Sequence, residues 1–232
     1  MKIKQFIYIL FLATGFLAGL PYAYASPLIN GEDLAVSIRN AIPPENILIE
    51  ASMEVTQKNR KRIQTALTIE TKLLGQDEFM TTYKTKPESN RMVWQIRRKV
   101  DEQNAYSCKP EENSNIHVGI AGSSFTLADF GLEFLHWPSQ KTIKKQRRKS
   151  RLCNVLESRP MKSIKEKYSR VLSWVDEKSG AIIAADFFDI NGEILKRFTV
   201  KGLTKKNGQW QVDELEMRDL NEGSKSRLKL NY

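Results

Sequence analysis

Residues 181–218 read AIIAADFFDINGEILKRFTVKGLTKKNGQWQVDELEMR, and the fold is decided there. Three extended runs, Ala181–Asp189, Ile194–Leu203 and Trp210–Arg218, are separated by Asn191-Gly192 and Asn207-Gly208. Asn-Gly between such runs marks a tight hairpin, because both residues accept positive φ. Reading backwards, Gly180 separates the first run from Tyr168–Asp176, and Leu152–Ser158 precedes that. Reading forwards, Gly223 leads into Lys225–Leu230. The N-terminal part has the same period of two. In Ile47–Thr56, residues Ile47, Ile49, Ala51, Met53 and Val55 share one face, while Glu50, Ser52, Glu54 and Thr56 occupy the other. Gln64–Leu74, Phe79–Thr85, Met92–Lys99 and Ala105–Cys108 follow, with turns at Lys58–Arg62, Gly75-Gln76 and Pro87–Asn90. The total is about eleven strands in meander order.

Helical signals are few. Glu32–Ala41 carries Leu34, Ile38 and Ala41 on one side and stops before Pro43-Pro44. Ser124 is placed to cap a helix from Phe125 to His136, ended by Trp137-Pro138, and a third short helix is read at Met161–Lys167. An antiparallel sheet of this many strands must curl, since twist accumulates, and its apolar concave face must be covered. The expected fold is mainly β (α+β), an incomplete antiparallel β-barrel with two or three lid helices over its opening. The rhythm fits a barrel around an apolar hollow and a barrel filled by its own side chains equally well.

The chain has 232 residues, 41% hydrophobic and 28% charged, with 37 Lys and Arg against 27 Asp and Glu, a net charge of +10. This composition excludes collagen, disorder and a multi-span membrane protein, and the charge favours acidic partners. Lys2 and Lys4, the apolar stretch Phe6–Leu20 and the small-x-small triplet Ala23-Tyr24-Ala25 read as a secretory signal over residues 1–25. The alternative is an uncleaved anchor, although 15 residues reach only about 22 Å as a helix, short of a bilayer core of about 30 Å. Without a Cys beside the cleavage site, a lipid anchor is not expected. Export makes nucleic acid an improbable partner and leaves residues 26–232 as one exported domain, expected to be monomeric. It also permits a Cys108–Cys153 disulfide, the alternative being two separate buried thiols. His117 and His136 read as surface or rim residues, and two Cys with two His at wide spacing make no zinc site. No metal or cofactor is expected.

The apolar stripe Ile49, Met53, Leu67, Ile69, Met92, Trp94, Leu172, Trp174, Phe187 and Met217, with Phe130 and Phe134 of the lid, is the candidate cavity lining; ordinary core is the competing reading. A second feature is Lys141–Arg151, with seven Lys or Arg in eleven residues. Lys141, Lys144, Lys145, Arg147, Arg148 and Lys149 are candidates for docking an anionic membrane or an acidic partner, or they form a solvated loop.

The ordered segments Gly122–Phe130, Cys153–Glu157, Tyr168–Asp176, Phe188–Lys196 and Gly208–Val212 resemble the bacterial outer-membrane lipoprotein-sorting family, which is LolA/LolB-like and includes many uncharacterised periplasmic members. The diagnostic part is residues 119–232. The resemblance implies a helix-lidded incomplete barrel that takes acyl chains of a lipid or lipoprotein in transit, received from an inner-membrane exporter. Two places depart from the family: Ser124–Asp129, where other members carry a different run, and the insert-like basic stretch Lys141–Arg151. The expected function is therefore binding and hand-over of acyl chains, the lid helix moving aside as they enter. A periplasmic regulator sensing lipid or mislocalised lipoprotein through the same fold is the alternative. Catalysis is not expected: Gly119–Ser124 lacks nucleophile-elbow spacing, and no Gly-rich loop cradles phosphate.

Overall fold

The computed structural model describes residues 27–86, 91–110, 115–161, 167–206 and 209–232. Residues 1–26 with the expected signal segment, the expected turn at Pro87–Asn90, residues 162–166 of the expected third helix and the expected Asn207-Gly208 turn lie outside these. Among the described residues there are twelve strands: β1 Ile47–Thr56, β2 Arg62–Leu73, β3 Glu78–Thr85, β4 Val93–Lys99, β5 Ala105–Lys109, β6 Ser139–Arg148, β7 Arg151–Arg159, β8 Arg170–Asp176, β9 Ile182–Phe188, β10 Ile194–Lys206, β11 Gln209–Asp219 and β12 Ser224–Asn231. They form one antiparallel sheet in the order β5-β4-β3-β2-β1-β12-β11-β10-β9-β8-β7-β6.

That order is almost sequential. Each strand pairs with its chain neighbour except at two points: β1 pairs with β12, with Met53 opposite Leu228, and β5 and β6 are left as the two edges. The barrel is therefore open between β5 and β6, and the connection between those edges crosses the opening. The expected count of eleven is corrected to twelve by β6, which lies inside the basic run read as a docking segment or loop. Its inward positions Gln140 and Thr142 are polar, and a bulge separates Thr142 from Lys144, so no apolar alternation announces it. Charged residues on an edge strand discourage pairing with other chains.

The inward faces carry the core. Ile49, Ala51, Met53 and Val55 of β1 are buried, with Ile69 opposite Ile49 and Leu67 opposite Ala51. Tyr83 stands opposite Trp94, and Met217 opposite Phe198. Helix α1, Gly31–Arg39, begins at Asn30, whose Oδ1 accepts from the Glu32 and Asp33 amides at 2.8 and 3.3 Å. It buries Leu34, Ala35 and Ile38. Its first residue has to be glycine, because a Cβ there would lie 2.6 Å from the Gln140 carbonyl oxygen on β6.

Candidate functional site

The connection from β5 to β6 folds as a lid rather than as the single helix expected over Phe125–His136. Thr126, not Ser124, is the cap: its Oγ1 accepts from the Asp129 amide at 3.1 Å, and Asp129 Oδ2 accepts from the Thr126 amide at 3.0 Å. The resulting helix α2, Leu127–Gly131, is one turn long and ends at Leu132 with φ of 54°. A 3₁₀ turn at Glu133–His136 follows. The sheet takes over the carbonyls that a longer helix would have used. Arg98 of β4 donates to Phe130 O, Asn104 Nδ2 donates to Gly131 O at 2.8 Å, and Gln140 Nε2 donates to Phe134 O and Trp137 O, both at 2.9 Å. From α1, Arg39 Nη1 donates to Leu135 O at 3.0 Å. Gly131 admits the approach of β5, since a Cβ there would meet Tyr106 Oη at 2.1 Å.

The lid's rings fill the concave interior. Phe125 and Phe130 stack at 5.1 Å between centroids, Phe130 stacks on Tyr83 at 4.9 Å, and Phe125 meets Phe198 edge-on at 6.5 Å. Phe134 meets Phe187 edge-on at 5.8 Å. What remains among Phe125, Phe130, Phe134, Phe187, Phe198 and Met217 is an apolar cavity of ≈ 30 Å³. The expected hollow is thus corrected. A space of this size is about that of one water molecule and does not hold an acyl tail. Filling by the lid's own side chains is the reason.

The stripe predicted from sequence divides three ways. Phe130, Phe134, Phe187 and Met217 line the cavity. Ile49, Met53, Leu67, Ile69 and Trp94 are buried on the same inward face, with half-buried Met92 packed against them, but lie away from the cavity. Leu172 and Trp174 point outward. Their β8 neighbours Val171 and Ser173 stand opposite cavity-side Phe187 and Ala185, which leaves Leu172 and Trp174 on the convex face opposite Asp186 and Ala184. Trp174 accordingly donates Nε1–H to Gln146 at 3.2 Å and lies under Arg148, 4.4 Å from ring centroid to guanidinium carbon.

Arg148 is thereby engaged, Lys145 pairs with Glu177 at 2.7 Å, and Lys149 donates to Val200 O. Of the docking candidates, Lys141, Lys144 and Arg147 project from β6 as exposed cations. Cys108 and Cys153 are both buried free thiols, so the permitted disulfide is not formed. They sit on β5 and β7, separated in the sheet order by nine strands. Burial pushes the Cys153 thiol up to about 11.

Sequence reasoning missed Lys196 on β10, which shares its face with Phe198 and is 2% exposed. Its Nζ donates to Ser124 O at 2.7 Å and stands 3.5 Å from Asp129 Oδ2, joining sheet to lid. The available signal was a lysine on the apolar parity of a strand. Ser124, expected to cap, instead donates its amide to Ser226 Oγ at 2.8 Å, with its own Oγ 3.0 Å from Ser224 Oγ. On the outer side of Ser124 and Thr126 opens a polar cleft of ≈ 550 Å³.

This geometry has solved counterparts. A domain of a putative outer membrane lipoprotein-sorting protein from Vibrio parahaemolyticus is similar with a TM-score of 0.69 at 13% identity, covering 87% of this chain and 90% of that one. A DUF1329 family protein from Desulfovibrio piger gives 0.68 at 18% identity over 87% and 90%. A LolA superfamily protein from Nitrosomonas europaea gives 0.58 at 16% identity over 88% and 92%. A family model described only as an uncharacterized protein matches residues 75–232, most of the chain. The chain belongs to the family of that uncharacterized-protein model, and its fold is like those of the lipoprotein-sorting domain and the LolA superfamily protein. No curated protein matches it in sequence. In this chain the opening of the barrel is covered by a lid tied down from β4, β6, β10 and α1. Among the described residues no helix is long and apolar enough to cross a membrane, and no cluster of His, Cys, Asp and Glu is arranged to hold a metal ion.

Proposed function

We propose that this protein is a periplasmic carrier that binds acyl chains of a lipid or lipoprotein beneath its lid and hands them on, without covalent chemistry. The observation that supports it is the plug. Phe125, Phe130 and Phe134 all come from the one segment that crosses the gap between β5 and β6, and they occupy the place where an acyl chain would lie. A plug carried on one segment can be exchanged for a ligand, whereas a core contributed evenly by all strands cannot.

The energies are compatible with exchange. Exposing three buried Phe side chains costs about 1.5–3 kcal/mol each, so roughly 5–9 kcal/mol in all. Each methylene buried in return contributes about 0.8 kcal/mol, so a chain of about ten carbons offsets the loss. Longer acyl chains bind with a surplus and shorter ones do not. Lys141, Lys144 and Arg147 on β6 supply cations for an anionic membrane surface at about 1 kcal/mol each.

Titration with a synthetic dipalmitoyl lipopeptide, followed by amide hydrogen exchange, tests this reading. Saturable binding accompanied by faster exchange across Ile120–His136, with β1 and β12 unchanged, is the expected result. Absence of saturable binding overturns the carrier reading. Binding that leaves the lid amides protected overturns the displacement mechanism.

A further inference from the structure

The polar cleft and the apolar cavity are two sides of one wall. Along one lid segment, Ser124 and Thr126 line the cleft, while Phe125 and, on α2, Asp129 line the cavity. A ligand with a polar head in the cleft therefore has its tail directly at the lid segment that must move. At ≈ 550 Å³ the cleft is of the size that takes small ligands.

Its charges are of both signs: Asp219 Oδ1 accepts from the Glu222 amide at 2.9 Å and Lys167 lies over the Tyr168 ring, but no side-chain ion pair among the described residues neutralises these groups. Lys58, Lys167, Asp219 and Glu222 all line it, and none of the four forms an ion pair among the described residues. Elsewhere on the sheet charges are mostly matched: Glu216 with Arg218 and Arg227, Asp186 with Arg197, Glu70 with Lys72 and Lys84. Lys196 lines the cleft from its buried end and stands directly across the ladder from Asp219. Lys167 at the mouth has its pKa lowered, first by desolvation and then by the Lys196 ammonium, with Asp129, Asp219 and Glu222 acting in the opposite direction, so charges of both signs feel one another across the space.

An anion alone would satisfy the lysines and be repelled by Asp219 and Glu222. A cation alone would do the reverse. We propose that the cleft holds the head group of an amphiphile bearing both a phosphate and a primary amine, the phosphate against Lys58 and Lys167 and the amine against Asp219 and Glu222. The proposal rests on the carrier reading for the tail and adds the chemical class of the head, a zwitterionic phospholipid.

Calorimetric titration of the purified protein with didodecanoyl phosphatidylethanolamine, didodecanoyl glycerol and free O-phosphoethanolamine separates head from tail. We expect the phospholipid to bind at least about tenfold tighter than the neutral lipid, as one or two charge-assisted hydrogen bonds would give. Lys167→Gln, at the exposed mouth, and Asp219→Asn, at a half-buried position, should each remove most of that margin while leaving binding of didodecanoyl glycerol unchanged. Equal affinity for the two lipids, or a margin intact in both variants, overturns the head-group assignment and leaves the carrier reading standing. Binding of O-phosphoethanolamine that is weakened in both variants, with neither lipid bound more tightly than this free head group, upholds the cleft while refuting the carrier reading. Silence toward all three probes refutes both.

Discussion

The two faces of the lid segment could hardly differ more. Toward the sheet, Phe125 and its neighbours leave an apolar space of ≈ 30 Å³; away from it, Ser124 and Thr126 border a polar space of ≈ 550 Å³. The inner face has given all its room to its own side chains, and the outer face has kept room lined by charges of both signs. On the proposed carrier reading, the lesson is that such a site is not to be sought as a standing hole: the place proposed for the tail is filled by protein in this state, and only the place proposed for the head is open.

The comparison is broken most forcefully at Phe125. Phe125→Ala should cost about 3–5 kcal/mol of stability through lost burial and an enlarged cavity, read as a lowered denaturation midpoint. Because the space left is where a tail would go, affinity for a palmitoyl probe should rise in the same variant. A fall in both quantities would mean that Phe125 is core and not plug. Next in size is Lys196→Met, which leaves Asp129 buried without its cation and should cost about 3 kcal/mol. Lys196→Met combined with Asp129→Asn should be more stable than Lys196→Met alone; if it is not, the ion pair does not join lid to sheet. The smallest effect concerns His136, half-buried in the lid and facing Glu133, Arg39 and Arg98. Burial holds its pKa below the usual 6.5, so the closed state keeps it neutral while an opened lid lets it protonate. Stability of closure is full above pH 6.5 and declines as pH falls through that value toward the lowered one. Amide exchange over Leu132–Trp137, corrected for intrinsic rates, should accelerate severalfold on acidification, and His136→Gln should flatten that response.

The sheet was largely legible because half-buried antiparallel strands alternate apolar and polar residues, as Ile47–Thr56 does without exception on its apolar side. Alternation does not say which face is concave, and Leu172 and Trp174 were therefore placed on the wrong one. β6 escaped because an edge strand whose inward side chains hydrogen-bond the lid, as Gln140 does, needs no apolar face. The lid was legible as apolar but not as broken, since its interruption at Leu132 follows from sheet side chains that seize its carbonyls, among them Arg98 and Asn104 from distant parts of the chain. Lys196 was passed over because lysine is ordinarily read as a marker of the wet face, and only the register of β10 shows it turned inward.

The position of β12 carries a consequence for how the molecule is made. This eight-residue strand stands between β1 and β11, so it is the seam between an N-terminal leaf of five strands and a C-terminal leaf of six. Until residues 224–231 have been synthesised, each leaf presents an unsealed margin to its surroundings. Any polypeptide cut short before that point is two unjoined leaves with exposed hydrogen-bonding edges, a ready target for proteases and chaperones, so only a finished chain can close on itself.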